Sequence, residues 1–211
     1  VYIDKLQQSV NTLFPNDIIV PDGFHHFPDF LTEREEQQLI NDIGNLELHT
    51  LIFRGFEAKR KVNSYVYDYQ FDTRSISRGE DIPPAFSFLL EKISTWLSIP
   101  LEDLAEVLVT EYPPGSVINW HRDAPPFDII VGVSLMSDCR FKLRPYDKAK
   151  QGRKSIITIP VHRRSIYVIR DEARTHWEHC IAPVTETRYS ITVRTIIDNY
   201  KDNNFHENSN V

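Results

Sequence analysis

The sequence predicts an α+β fold, mainly β: a sandwich or jelly roll with helices packed on one face. Two observations carry this. After Pro100 the chain breaks into eight short strand-like runs within about 90 residues, and two amphipathic helical stretches precede them. The 211 residues, 41% hydrophobic and 26% charged, suit one globular domain with a substantial core, and no linker or repeat divides them.

The elements follow in order. His25 and His26 lie in a stretch flanked by Pro21 and Pro28, which reads as surface loop. Thr32 with Glu35 forms a capping box ahead of Leu39, Ile40 and Ile43, predicting a helix over 32–44. A ladder over 62–69 alternates Tyr65, Tyr67 and Tyr69 with Val66 and Asp68. Pro83 and Pro84 open the second helix, with Phe86, Leu89, Leu90, Ile93, Trp96 and Leu97 on one stripe. Strands are then expected over 106–112, 117–123, 128–136, 139–144, 154–159, 165–170, 177–181 and 188–196.

Composition excludes several function classes. The seven glycines come no closer than Gly44 and Gly55, so no glycine-rich phosphate loop exists. Cys139 and Cys180 form neither a CxxC pair nor a framework, as expected of reduced thiols in a cytoplasmic protein, or a nuclear one in a eukaryote. No apolar run approaches a membrane span, and the first residues lack the regions of a signal peptide. A net charge of −6 discourages a nucleic-acid partner, but the charge is uneven: residues 140–174 hold eleven Lys or Arg against three acids. No obligate protein partner is evident.

His121-Arg122-Asp123 sits in an extended run, where residues two apart share a face and can converge on one ion. A second imidazole would complete a two-His-one-carboxylate triad, a set suited to non-haem Fe(II). His162, His176 and His179 are the candidates. His162 lies in a basic turn, and in a strand His176 and His179 fall on opposite faces, so at most one of them reaches the metal; residue chemistry alone does not choose. Arg188-Tyr189-Ser190-Ile191-Thr192-Val193-Arg194 alternates cleanly. Its apolar face is expected in the core between two sheets, and its polar row ends in two guanidinium groups that ask for an anion the size of a five-carbon dicarboxylate.

Together these residues resemble the AlkB family of Fe(II)- and 2-oxoglutarate-dependent dioxygenases. Tyr112 stands nine residues before His121-Arg122-Asp123, His179 follows 58 residues after His121, and Arg188 and Arg194 close the series. The flanking runs 109–115 and 177–181 match as well, so the resemblance spans about 104–196. It implies a double-stranded β-helix core over 104–196, a front segment 1–103 of helices and substrate lid, and a flexible tail over 197–211. It also implies Fe(II) held by His121, Asp123 and His179, with O2 and 2-oxoglutarate as co-substrates. Arg188, assisted by Tyr112, would take the distal carboxylate of 2-oxoglutarate and Arg194 the end nearest iron. Thr110 and Ser190 replace asparagines frequent in the family and keep hydrogen-bonding capacity. Ala124-Pro125-Pro126 departs from the polar residues that DNA-repair members carry after the triad.

In the family, the segment before the barrel covers the substrate nucleotide. Here that place holds Arg54, Lys59, Arg60 and Lys61 against Glu57, followed by the tyrosines. Arg54 and Lys59 are expected to meet phosphate, and Tyr65 and Tyr67 to stack on an extruded base. Arg140, Lys142 and Arg144 alternate onto one side of a strand and suggest a second phosphate-facing stripe. The expected activity is oxidative demethylation of N-alkylated bases in DNA or RNA, releasing formaldehyde, succinate and CO2. The competing readings are the same chemistry on a methylated protein or small molecule, a non-catalytic binding module, and a zinc hydrolase, which leaves Arg188 and Arg194 unexplained.

Overall fold

The computed structural model describes residues 18–53, 55–70, 75–197 and 200. Arg54 and all of the expected tail except Ile197 and Tyr200 lie outside the described residues. In chain order the elements are β1 (Phe24–Phe27), α1 (Glu33–Gly44), β2 (His49–Phe53), β3 (Phe56–Gln70), β4 (Ser75–Arg78), α2 (Ser87–Leu97), β5 (Leu104–Tyr112), β6 (Ile118–His121), β7 (Phe127–Leu135), β8 (Cys139–Pro145), β9 (Ile157–Val161), β10 (Ile166–Ile169), α3 (Asp171–Thr175), β11 (Trp177–Ile181) and β12 (Arg188–Ile196).

They form two antiparallel sheets, the double-stranded β-helix. The large sheet runs β1-β10-β7-β12-β5-β3-β2, with β4 paired to β3, and the small sheet runs β6-β11-β8-β9. Two apolar groups result. One lies between the helices and the outer face of the large sheet, built on Leu39, Ile43, Leu89, Ile93, Val107, Val109, Ile191 and Val193. The other fills the space between the sheets, around Phe24, Phe127, Phe141, Leu143, Tyr167 and Ile181.

The helices form for the reasons their sequences give. The Thr32 hydroxyl accepts from the Glu35 backbone N–H while the Glu35 carboxylate accepts from Thr32 N–H at 2.7 Å, a closed capping box. Leu39 and Ile43 of α1, and Leu89, Leu90 and Ile93 of α2, are buried against the sheet. Ser98, in the left-handed region at φ 56°, ends α2.

Several expectations need correction. His25 and His26 are not loop but strand β1, paired with Val168 and Tyr167 of β10, and His25 is buried. The strands β2 and β4 and the helix α3 carry too little periodicity to announce themselves, and β9 begins three residues later than expected because 153–155 form a 3-10 turn. The apolar face of β12 lies on the other side from that expected: Ile191 and Val193 pack under the helices rather than between the sheets, while the polar row faces inward as expected.

The largest departure is in β3. Its tyrosine ladder does not run on one face. Val66 sits at φ 69°, in the left-handed region, and there the strand leaves β5 (Val66 opposite Glu106) and takes up β4 (Tyr67 opposite Arg78). Tyr65 consequently falls into the helix-side core, with its hydroxyl accepting from the Asn63 amide at 3.1 Å, while Tyr67 and Tyr69 pack on the side of the inter-sheet core.

Candidate active site

The pairing of β6 with β11 sets His121 directly opposite His179, with ring centroids 4.3 Å apart. Asp123 lies two residues past the end of β6, and its carboxylate and the two imidazoles offer donor atoms all within 4.8 Å of one another. Asp123 Oδ1 accepts from Arg194 Nε at 3.0 Å and Nη2 at 2.8 Å; Oδ2 is buried without a hydrogen-bond partner, 3.6 Å from His179 Nε2. His121 Nδ1 lies 2.9 Å from the Asn119 carbonyl, a contact that puts the proton on Nδ1 and leaves Nε2 a lone-pair donor. His179 stacks on Phe141 with centroids 5.2 Å apart.

The electrostatics suit a cation. Burial pushes the Asp123 carboxyl up, but the Arg194 guanidinium, with His179, His121 and Arg174, outweighs it and holds Asp123 well below the usual carboxylate range. Burial, reinforced by His121, brings His179 down to about 3, so its imidazole stays neutral at physiological pH. The two facing imidazoles and one ionised carboxylate with an unpartnered oxygen fit a divalent first-row metal that keeps open positions.

Arg188 and Arg194 differ sharply. Arg188 is fully buried at 0% exposure; Nε donates to Ser134 Oγ at 3.0 Å, and neither Nη1 nor Nη2 meets a hydrogen-bond partner of proper geometry. Its guanidinium lies over the Tyr112 ring, 5.0 Å from the centroid. An unpaired buried guanidinium is costly, and a carboxylate would satisfy both free nitrogens at once. Arg194 is engaged on both sides, by Asp123 and by Glu106. Thr110 and Ser190, opposite each other in the β5–β12 pair, are buried beside them.

A cavity of about 570 Å³ opens on the triad, and its walls include Tyr112, Thr110, Arg194, Phe141 and Tyr167. It continues along the same face of the large sheet over β3 and β2, where His49, Arg60, Val62 and Tyr69 line it. Of the residues expected to meet substrate, Tyr65 is in the other core and Tyr67 and Lys59 are not among the walls. Lys59 instead reaches over the turn at Gly115, where an added Cβ would stand 3.1 Å from its Nζ. Arg60 and Tyr69 line the cavity where Lys59 and Tyr67 do not.

Sequence reading missed Glu106, a carboxylate at 3% exposure whose ionisation burial opposes even beside Arg194. Parity was the available signal: in β5 it shares a face with Thr110 and Tyr112. His176 lies outside β11 at the end of α3, exposed, and His162 pairs on the surface with Asp138 at 2.8 Å. On β8, Arg140 and Lys142 point away from the core as expected, whereas Arg144 is taken up by Glu178 and by the face of Trp120, 4.3 Å from the ring centroid.

Comparison with known proteins agrees with this geometry. The family model described as the 2OG-Fe(II) oxygenase superfamily matches residues 23–195. The chain is 29% identical to the "Alkylated DNA repair protein ALKBH8 homolog" of Arabidopsis thaliana, over 81% of this chain and 53% of that protein. It is 25% identical to the "RNA demethylase ALKBH5" of Bos taurus, over 79% of this chain and 45% of that protein. The chain thus spans about half the length of these two relatives. Among solved structures, that of OsALKBH1 superposes with a TM-score of 0.65 at 13% identity, covering 84% of this chain and 98% of that one. A prolyl hydroxylase of Trichoplax adhaerens gives 0.61 at 14% identity, covering 87% of each chain. These two share the fold. No helix among the described residues is long and apolar enough to cross a membrane. The chain belongs to the 2OG-Fe(II) oxygenase superfamily, and among its relatives it is similar to AlkB homologues.

Proposed function

We propose that this chain is an AlkB-like Fe(II)- and 2-oxoglutarate-dependent dioxygenase and an oxidative demethylase of N-alkylated bases in DNA or RNA, with His121, Asp123 and His179 holding the iron and Arg188 the 2-oxoglutarate. The observation that carries the assignment of roles is the pairing of two unsatisfied groups in one interior: the free oxygen of Asp123 within the triad, and the free nitrogens of Arg188 beside Tyr112.

When bound, iron with O2 and 2-oxoglutarate supplies oxidation of an N-methyl C–H bond, yielding succinate, CO2 and a hydroxymethyl group that leaves as formaldehyde. The chain's own part is geometric and electrostatic. Asn119 fixes the tautomer of His121 through Nδ1. Arg194 turns the Asp123 carboxylate so that Oδ2 faces His179. The fork of Arg188 orients a carboxylate bidentately, with Tyr112 and the hydroxyls of Thr110 and Ser190 beside it. Phe141, Tyr167 and Ile181 line the cavity with hydrocarbon and limit the water that reaches the reacting carbon.

A nucleic-acid substrate is supported by two features. The cavity runs along β3, where Arg60 beside β2 can meet a phosphate and Tyr69 beside β4 a base, and the two relatives above carry names of nucleic-acid enzymes. Formaldehyde release with equimolar succinate, screened over methylated DNA, RNA, nucleosides and peptides, tests the reading. Turnover confined to oligonucleotides and weakened by salt is expected. Turnover on peptides or free nucleosides alone would replace the substrate, and no succinate with any of them would remove the demethylase reading.

A further inference from the structure

We infer that Arg174 is a positioning residue for the iron site, acting through the loop that carries Asp123; the inference rests on the metal triad proposed above. Register in the small sheet fixes the two imidazoles, because His121 and His179 are paired across β6 and β11. It does not fix the carboxylate. Asp123 lies beyond the end of β6 and has no partner in the ladder. The residues after it have few backbone ties of their own: Pro125 and Pro126 have no N–H to donate, which leaves the Phe127 N–H to Ala124 bond within the loop and the Ile197 N–H to the Pro126 carbonyl at 2.9 Å.

Arg194 holds the Asp123 carboxylate, and Arg174 ties the backbone of its loop to α3. From α3 its Nη2 donates to the Ala124 carbonyl and to the Phe127 carbonyl, both at 2.8 Å, and its Nε donates to Phe127 at 3.2 Å. These two carbonyls flank the proline pair, in a turn closed by the Phe127 N–H to Ala124 carbonyl bond of 3.1 Å. A second arginine crosses in the opposite sense: Arg122 Nη1 donates to the Thr175 carbonyl at 2.8 Å, its guanidinium lying 3.6 Å from the Tyr146 ring centroid. The loop is therefore stitched to α3 on both sides of Asp123.

The stitch is useful because α3 is itself anchored. Ala173 is buried, and its N–H donates to the Asp22 carbonyl at 2.8 Å. Arg170 N–H donates to the Gly23 carbonyl at 3.0 Å, in an approach so close that a Cβ on Gly23 would stand 2.1 Å from the Arg170 oxygen. Helix α3 leads directly into β11, which carries His179. One guanidinium thus sets the Asp123 loop against the segment that delivers the distal imidazole. A planar fork spans two carbonyls at once, which an ammonium holds less well.

The test is Co(II) binding to the full chain, followed by titration and by the visible d–d spectrum, for the parent, Arg174→Gln, Arg174→Lys and Arg163→Gln. Arg163 pairs with the buried Glu36 far from the loop, so its loss lowers the thermal midpoint without touching the site. Arg174→Gln is expected to weaken Co(II) at least tenfold and to alter the d–d bands, Arg174→Lys to fall between, and Arg163→Gln to bind as the parent does. Should Arg174→Gln fail to fold, the Lys variant carries the comparison. Parental affinity and spectrum in the Arg174 variants would overturn the inference, as would an equal loss of affinity in Arg163→Gln. A parent that does not bind Co(II) would overturn the metal reading itself, a result distinct from either.

Discussion

The two ends of β12 treat the same side chain in opposite ways. At Arg194 the guanidinium is closed into a chain with Asp123 and Glu106, three buried charges that satisfy one another. At Arg188 the guanidinium is more deeply buried, hydrogen-bonded through Nε and set over the Tyr112 ring, and its two terminal nitrogens have no hydrogen-bond partner. The difference separates two tasks. One arginine shapes the protein's own carboxylate, and on the function proposed above the other is held for the carboxylate of 2-oxoglutarate. A fold that keeps an unpaired buried charge pays in stability, and the cost is recovered when the ligand binds.

The largest expected effect comes from breaking the closed end. Arg194→Met leaves Asp123 and Glu106 buried without their cation, and should cost about 3–5 kcal/mol in urea unfolding. Adding Glu106→Gln should restore part of that loss, because it removes one of the two stranded charges. A single variant as stable as the parent would show that the three groups do not act as a unit.

The open end should respond with the opposite sign. Arg188→Met removes a charge that is unpaired until ligand binds, so the free protein should be at least as stable as the parent. Its affinity for 2-oxoglutarate should fall about 100-fold, or about 2.7 kcal/mol, with Co(II) affinity unchanged. Calorimetric titration separates the two. Unaltered 2-oxoglutarate affinity would move the co-substrate away from Arg188.

This contrast was half legible in the sequence. Strict alternation over 188–194 placed both arginines on one face, and the resemblance to the AlkB family, where residue chemistry had left His176 and His179 open, named the triad members that the fold brings together. Which arginine is paired depends on Glu106, eighty-eight residues away in sequence, and on a strand register that no local pattern encodes. The helices were readable because capping and periodicity are local. The tyrosine ladder misled for a comparable reason: the positive φ at Val66, a β-branched residue, is imposed by the change of partner strand from β5 to β4, and it sends Tyr65 to the wrong core for substrate binding. Arg174 was invisible because its partners are backbone carbonyls, which every sequence has.

A third change probes the wall between the two ends. In β7, Gly132 faces the Tyr167 ring so closely that an added Cβ would lie 2.1 Å from Cζ. Tyr167 is buried and lines the cavity. Gly132→Ala should therefore displace the ring, costing about 2 kcal/mol of stability and narrowing the cavity. The companion Gly132→Ala/Tyr167→Leu should recover stability. An alanine variant with parental stability and co-substrate affinity would mean that the ring shifts freely and does not define the wall.

The smallest effect comes from carrying the comparison to the surface, where water does what Glu106 does inside. Lys92 Nζ meets both oxygens of Glu35, at 2.8 and 2.9 Å, with side chains 33% and 27% exposed. The partial burial of Glu35 would raise its carboxyl, but the Lys92 and Thr32 hydrogen bonds prevail and lower it. A carboxyl lowered by folding contributes stability that is present above its unfolded value of 4.5 and disappears as pH falls through the lower folded value. Glu35→Gln keeps the capping-box geometry and removes only the charge, so it should cost about 0.5 kcal/mol at neutral pH, given solvent screening. Urea midpoints of parent and variant should then converge as pH falls below the folded value. A gap that persists in acid would assign the effect to the altered cap rather than to the ion pair.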